Sequence, residues 1–475
     1  MQAGPGAEEM PNRPIAALCA LALPLLAGGC AGDGAGDGDG GRGRDTVTVW
    51  TLENLPDRMA AQREIARDLT RRTGLKVHLV GIAEDQFGQV VRSAAAAGRL
   101  PDVIGALPLA AVWELHANDL LDTATAAEIV DDLGRETFTP RALELGSSGG
   151  RPLAVPSDAW AQLLLYRTDL FGESGLAPPD TYDRLAEAAR RLATRGRAGI
   201  ALAVAPRDVF TAQSFEYVAL ANACQLVNRD GAVTIGSPRC VRAFAFYADL
   251  ARNRSVPGAQ DVDSVRATYF SGRAAMAIWS SFILDELAGL RADTLPNCPE
   301  CREDPEWLAR HTGIVTGLRG PDARRPAQYG EIVSWAITRE ANRPAARRFV
   351  TYLMDAGYER WLGLAPEGKI PVRLGTRRDP RRFADAWYGL PAGVDREKPL
   401  AEVYPRPLLD RLRASVDAFD RWGIPQGRGR LVGAAAGELP IPAALSAAAD
   451  GSLTPRQAAD RAARDIATIK RGIRE

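Results

Sequence analysis

The chain has 475 residues, 46% hydrophobic and 25% charged, an ordinary globular composition with length for two or three domains. Lys plus Arg equals Asp plus Glu at 59 each, so whole-chain charge gives no argument for nucleic acid or an anionic membrane as partner. His78, His116 and His311 are the only histidines and lack metal-ligand spacing, so no histidine-built zinc site, and no metal or other cofactor, is expected.

Arg13 precedes an apolar run from Ile15 to Ala27, which ends in Gly28-Gly29-Cys30. A charged lead, a short apolar run and small residues before a cleavage point make an export signal. The run is too short to span a bilayer, which takes about 20 residues. Glu8 and Glu9 do not suit the basic lead, which favours Met10 over Met1 as the start. Leu26-Ala27-Gly28-Gly29-Cys30 resembles a bacterial lipobox, with Ala27 where Leu is usual. The resemblance implies that Cys30 is lipidated, begins the mature chain and anchors it to the outer face of the cell membrane. Residues 31–44 contain only Gly, Asp, Ala and Arg, a flexible tether reaching roughly 20 Å as a coil.

Order is expected from Thr46. Thr46–Trp50 alternates as a strand, Asp57–Thr73 is a helix stopped by Gly74, and Lys76–Ile82 is a second strand. Glu84–Gly98 reads as a helix, and a third strand begins at Pro101-Asp102-Val103-Ile104. This β-α-β-α-β order implies a parallel sheet with right-handed crossovers. Further on, Leu163–Tyr166 reads as a strand, Tyr182–Leu192 as a helix, Ile332–Thr338 as a strand and Pro344–Asp355 as a helix. Thr454 and Gln457 make a capping box, with Pro455 in the first turn of the last helix. The Arg377, Arg378, Arg381 and Arg382 run, broken by Asp379 and Pro380, reads as a solvated loop rather than a phosphate patch.

Several segments occur in the order found in extracellular solute-binding proteins of ABC sugar importers, the maltose-binding-protein-like family. They are Ala96–Val103; Pro152–Pro156 with Leu165–Phe171 and Pro178–Tyr182; Phe270–Trp279; Glu331–Thr338 and on to Lys369-Ile370-Pro371-Val372-Arg373; and Gly451–Pro455 with Ala458. The chain resembles that family over nearly all of its mature length. The resemblance implies an α/β, type II periplasmic-binding-protein fold. Two α/β lobes, joined by crossover hinge segments, would close around a central cleft. The lobes would take residues 45–156 and 277–352, and residues 157–276 and 353–475. It further implies a monomer that delivers a small carbohydrate to ABC permease subunits. Residues 297–330, rich in Pro, Cys and charge, match no motif.

A neutral sugar needs aromatic faces for its C–H surfaces and planar polar groups for its hydroxyls. Open α/β sheets bind ligands at the carboxyl ends of their strands. Trp50 ends the first strand, with Glu53 and Arg58 in the loop after it. Asp158 and Trp160 follow the first crossover, Trp279 ends the return crossover, Glu331 and Trp335 flank the late strand, and Trp361 follows the late helix. These nine are the candidate ligand-binding residues. Trp113, Trp307, Trp387 and Trp422 are expected in the core. No P-loop is present, and no catalytic residue is proposed. A polyamine, peptide or other solute on the same fold, or an enzyme of surface glycans, are the alternatives. Export makes disulfides plausible, and proximity suggests Cys224 with Cys240 and Cys298 with Cys301.

Overall fold

The computed structural model describes residues 45–473; Cys30, the apolar run before it and the tether of residues 31–44 lie outside the described residues. Strand β1 (Thr46–Thr51) alternates as its sequence does: Val47, Val49 and Thr51 are buried, and Trp50 on the other face is half-buried. Helix α1 (Pro56–Thr73) buries Met59, Ile65, Ala66 and Leu69 and stops at Gly74, whose φ of +76° suits glycine. Next come β2 (Lys76–Gly81), α2 (Phe87–Ala96), β3 (Val103–Pro108) and α3 (Leu109–Ala117). A 3-10 turn, Glu84–Gln86, precedes α2 where the sequence suggests one continuous helix. β1 runs parallel to β2 on one side and β3 on the other, as the β-α-β-α-β order requires.

β4 (Val155–Arg167) starts eight residues before the apolar stretch Leu163–Tyr166 that the sequence reveals. Its first half is interrupted by Pro156, Ser157 and Asp158, all buried, so composition hides it. After it come α4 (Tyr182–Leu192), α5 (Val209–Ala221), β5 (Met276–Ser280), α6 (Ile283–Leu287), β6 (Thr312–Val315), β7 (Gly317–Leu318) and β8 (Ala327–Ile337). The chain then forms α7 (Arg343–Met354), α8 (Tyr358–Leu362), β9 (Ile370–Pro371), β10 (Phe419–Asp420), α9 (Gly429–Glu438) and α10 (Pro455–Gly472). The Thr454–Gln457 capping box at α10 is formed.

β4 and β8 organise the sheet. The first half of β4 pairs antiparallel with β8 and β9, and β8 in turn pairs antiparallel with β3. The second half of β4 pairs with β5 and β6, while the start of β8 pairs with β7 and β10. The strand order is thus β9-β4-β8-β3-β1-β2, with the remaining strands attached to β4 and β8. The sheet is therefore mixed. The unmatched segment 297–330 supplies β6 and β7 and the start of β8.

Val47 and Val49 share a buried cluster with Phe349, Val350 and Leu353 of α7 and with Tyr358 and Trp361 of α8. The sequence reading puts residue 353 onward in the second lobe, whereas α8 packs with the first strand. A second cluster gathers Leu164, Met276 and Ile278 with Leu185, Phe215, Phe244 and Ile466. Trp113, Trp387 and Trp422 are buried as expected. Trp307 is half-buried instead, stacked on His311 at 4.0 Å with Arg167 4.6 Å above its ring. Arg377, Arg381 and Arg382 form surface ion pairs with Glu136, Asp385 and Glu359.

Where β8 meets β3 the register shifts between Ser334 and Ala336, and opposite the shift Ala106 has φ +59°. A bulge of this kind re-aims neighbouring side chains. Trp335 lies flat against Gly105, where an added Cβ would stand 2.1 Å from the ring.

Cys224 is bonded to Cys240 and Cys298 to Cys301, the pairing that proximity suggests. Replacing Cys224 and Cys240 together by Ser should cost about 3 kcal/mol of stability, the loop-closure value for a span of about 15 residues. Urea unfolding reads this as a lower midpoint with the slope little changed; a midpoint equal to that of the parent chain would show that the bond contributes nothing.

Candidate functional site

The loop after β1 is held by its own backbone. The Glu53 N–H donates to Thr51 Oγ1 at 3.2 Å, and Gln62 Nε2 donates to the Glu53 carbonyl at 2.8 Å. The Glu53 carboxylate therefore has a fixed position, and two cations meet it there. Arg58, in the first turn of α1, donates from Nη1 to Oε2 at 2.6 Å. Lys369, just before β9, donates from Nζ to Oε1 and reaches Asp158 Oδ2 at 3.5 Å. Asp158 also accepts from Ser157 Oγ and Trp361 Nε1, each at 2.6 Å. The Lys369 ammonium stands 4.1 Å over the Trp361 ring.

Lys369 and Asp158 are fully buried and Glu53 nearly so. Buried charge is costly unless paired and hydrogen-bonded. Here the amine has two carboxylates and an aromatic face, and each carboxylate has further donors. Burial by itself would push the Glu53 carboxyl up, but Lys369 and Arg58 hold it down at about 2 from an ordinary 4.5.

A second buried group adjoins the first across the β4–β8 ladder. Trp160 stands opposite Glu331, and its ring is 6.2 Å from that of Tyr329. Residues two apart share a face of a strand. Asp158 and Trp160 on β4 therefore line the same side as Tyr329 and Glu331 on β8. Glu331 Oε1 accepts the Leu109 N–H and Arg421 Nη1, both at 2.8 Å. Arg421 also reaches Glu216 Oε1 on α5 at 3.3 Å and lies 4.8 Å over the Tyr329 ring. Burial pushes the Glu216 carboxyl up against the pull of Arg421.

Glu84 faces the same place from the end of β2. Its side chain is accessible, yet neighbouring protein displaces enough water to raise its carboxyl, with Glu331 and Glu53 raising it further. Among the described residues its carboxylate has no ion-pair partner. A separate recess of about 290 Å³ lies between α2 and α3, over Phe87, Val91, Leu115 and Leu120, and none of these acids lines it.

The structure thus brings most of the candidate residues together, in different roles. Trp50, Arg58 and Trp160 are half-buried and keep surface to offer. Glu53, Asp158 and Glu331 are buried and committed to ion pairs. Three assignments need correction. Trp335 has its ring inside the core between Gly105, Phe349 and Trp361. Trp361 is fully buried and serves as donor to Asp158. Trp279 is 6% exposed, its ring packed on Phe210 and its N–H donated to the Val262 carbonyl. Each falls in the core because an inward strand or helix position puts it there.

Sequence reasoning missed Lys369, Arg421, Glu216, Tyr329 and Phe282. Phe282 lies half-buried beneath Arg58, 5.2 Å from its guanidinium. Lys369 had a signal, since it opens the Lys-Ile-Pro-Val-Arg segment. Arg421 had none, as a lone cation beside Trp422 in an irregular stretch.

The depressed Glu53 carboxyl gives a signed expectation. Its contribution to stability is present above the unfolded value near 4.5 and is lost as pH falls through about 2. Glu53→Gln removes that contribution. The stability gap between the parent and Glu53→Gln should therefore shrink between pH 5 and about 2, measured by urea unfolding at several pH values. A gap constant over that range would contradict the charge assignment. Lys369→Met removes the one cation paired with buried Asp158 and one of the two on Glu53, and should cost about 3–5 kcal/mol at neutral pH.

The chain is 29% identical over 317 residues to the putative ABC transporter periplasmic-binding protein YcjN of Escherichia coli K12, covering 65% of this chain and 68% of that one. It superposes on maltose-bound MalE3 of T. maritima with a TM-score of 0.68 at 19% identity, over 89% of this chain and 99% of that one. It also superposes on the GacH receptor of Streptomyces glaucescens, solved unliganded and with acarbose, with a TM-score of 0.69 at 17% identity, over 90% and 99% of the two chains. The fold is that of type II periplasmic binding proteins. Residues 53–359 match the family described as bacterial extracellular solute-binding protein, and the chain belongs to that family.

Proposed function

We propose that this chain captures a carbohydrate at the carboxyl ends of β1 and β2 and passes it to the permease subunits of an ABC importer. The observation that carries the reading is the shared face of β4 and β8. There a half-exposed Trp160 stands beside Tyr329, and buried acids hold Arg58, Lys369 and Arg421 in fixed positions. Such a surface offers an aromatic plate for sugar C–H groups and rigid donors and acceptors for hydroxyls. Trp50, Arg58 and Trp160 would touch the ligand. Glu53, Asp158 and Glu331 would support the groups that do. Solved relatives bound to maltose and to acarbose, and one described as a cyclic alpha-maltosyl-1,6-maltose binding protein, support the choice of ligand class. In this proposal the two lobes close on the ligand, no covalent step takes place, and the protein works as a monomer tied to the membrane by lipid on Cys30.

Trp160→Ala should weaken binding by about 2 kcal/mol or more if the ring is a central stacking plate. A thermal-shift screen over mono- and disaccharides followed by calorimetry checks this, since a ligand specific for the folded state raises the melting temperature. Normal affinity in both Trp50→Ala and Trp160→Ala would overturn the site. The unmatched Glu84 carboxylate favours one second reading, a cationic solute such as a polyamine. A neutral sugar binds almost independently of salt, whereas a polyamine loses affinity as ionic strength rises. Cys30→Ala should release the protein from membranes, and an unmodified Cys30 in membrane-bound protein, read by intact mass, would refute the anchor.

A further inference from the structure

Three cations meet at the site, and each is tied to carboxylates of the protein itself. Arg58 pairs with Glu53, Lys369 with Glu53 and Asp158, and Arg421 with Glu331 and Glu216, so four carboxylates face three cations. Glu331 differs from the other acids in what holds it. Its Oε1 accepts both the Leu109 N–H and Arg421 Nη1, each at 2.8 Å. Leu109 is the first residue of α3, a helix of nine residues whose preceding residue, Pro108, supplies no side-chain cap. Arg421 is fixed in turn by Glu216 Oε1 and the Gly330 carbonyl, both at 3.3 Å. A helix N-terminus and a guanidinium that converge on one point make an anion cradle. In this chain the anion in the cradle is the Glu331 carboxylate, 2% exposed.

Glu331 also stands directly across the β4–β8 ladder from Trp160. Opposed residues of an antiparallel pair put their side chains on one face, with Cβ atoms about 4.5–5.5 Å apart. A sugar stacked on the Trp160 ring therefore lies next to Glu331. We propose that Glu331 makes the site selective against anionic solutes, so that a neutral sugar is taken and its uronic-acid or phosphorylated counterpart is refused.

The protein's own carboxylate fills the place that a ligand carboxylate or phosphate would need. An anionic ligand meets a fixed negative charge there, and finds neither Arg421 nor the N-terminus of α3 open to it. It loses hydration without gaining a counter-ion, which is costly in a protein interior. A hydroxyl meets no such barrier, because a neutral group brings no charge to strand. Glu53 and Asp158 add to the effect by occupying Arg58 and Lys369 in the same way. Selectivity of this kind comes from a repulsive element set against the wrong ligand rather than from an added contact to the right one.

This inference rests on the carbohydrate reading for its affinity arm only. Calorimetry should compare glucose with glucuronate, galactose with galacturonate and maltose with maltosyl phosphate, on the parent and on Glu331→Gln. The parent should bind the charged member of a pair at least about tenfold more weakly than the neutral one, the scale of one unit charge at close range in a protein. Glu331→Gln keeps an acceptor for the Leu109 N–H and removes the charge, so it should narrow that ratio by about tenfold. A clamp with no part in selection would weaken both members alike and leave the ratio unchanged. The second arm needs no sugar. Glu331→Ala empties the cradle, so sodium formate should raise the melting temperature of that variant above its value in equal sodium chloride, and should not do so for the parent. If Glu331→Ala fails to fold, recovery of folding in formate but not in chloride is the expected result. A parent that binds the charged member as tightly as the neutral one, or a ratio unchanged in Glu331→Gln, overturns the selection. No difference between formate and chloride overturns the cradle. If neither member of any pair binds, the carbohydrate reading fails, and the formate comparison alone decides whether Glu331 fills an anion cradle.

Discussion

The buried amine of Lys369 is the constraint around which this site is built. It joins the loop after β1, the middle of β4 and the segment before β9, three stretches far apart in the chain. None of these charges is tolerable alone in the interior, and together they satisfy one another. The strand ends are consequently held at set distances by the protein's own side chains. Arg58 and Trp361 take their places from the same acids. A second buried cation, Arg421, repeats the arrangement one step along the ladder, tying Glu331 of β8 to Glu216 of α5.

Much of the fold is legible in the sequence because its signals are local. Alternation in Thr46–Thr51, the glycine stop at Gly74 and the capping box at Thr454 each rest on neighbouring residues, and each is present in the structure. β4 was half legible. Leu163–Tyr166 is apolar, but Ser157 and Asp158 carry no strand signal and are strand because partners distant in sequence satisfy them. The antiparallel pairing of these strands was illegible for the same reason, since register between β4 and β8 is set by long-range contacts.

Tryptophan is a poor guide to a binding surface for a related physical cause. Its large area lowers the free energy of a core as readily as that of a ligand complex. Strand position alone cannot decide which, and β8 shows why: Trp335 turns inward at the register shift, against a glycine that leaves room for it. Trp160 stays half-buried, across the ladder from Glu331. The polar groups were easier to place by kind than by role: Glu53, Asp158 and Glu331 all belong to the site region, but as supports whose cationic partners lay elsewhere in the chain.

β4 runs unbroken from its pairing with β8 and β9 to its pairing with β5 and β6. Between these partners there is no loop to swivel. Any displacement of one end against the other is therefore a torsion of a hydrogen-bonded ribbon, spread over several peptide units rather than concentrated at one joint. Such a ribbon behaves as a spring with a rest angle, set by the natural twist of its strands. Glycine or proline placed in its middle would alter stiffness and rest angle separately from any contact with solute. The mechanical compliance of the molecule is thus written in the backbone of a single strand.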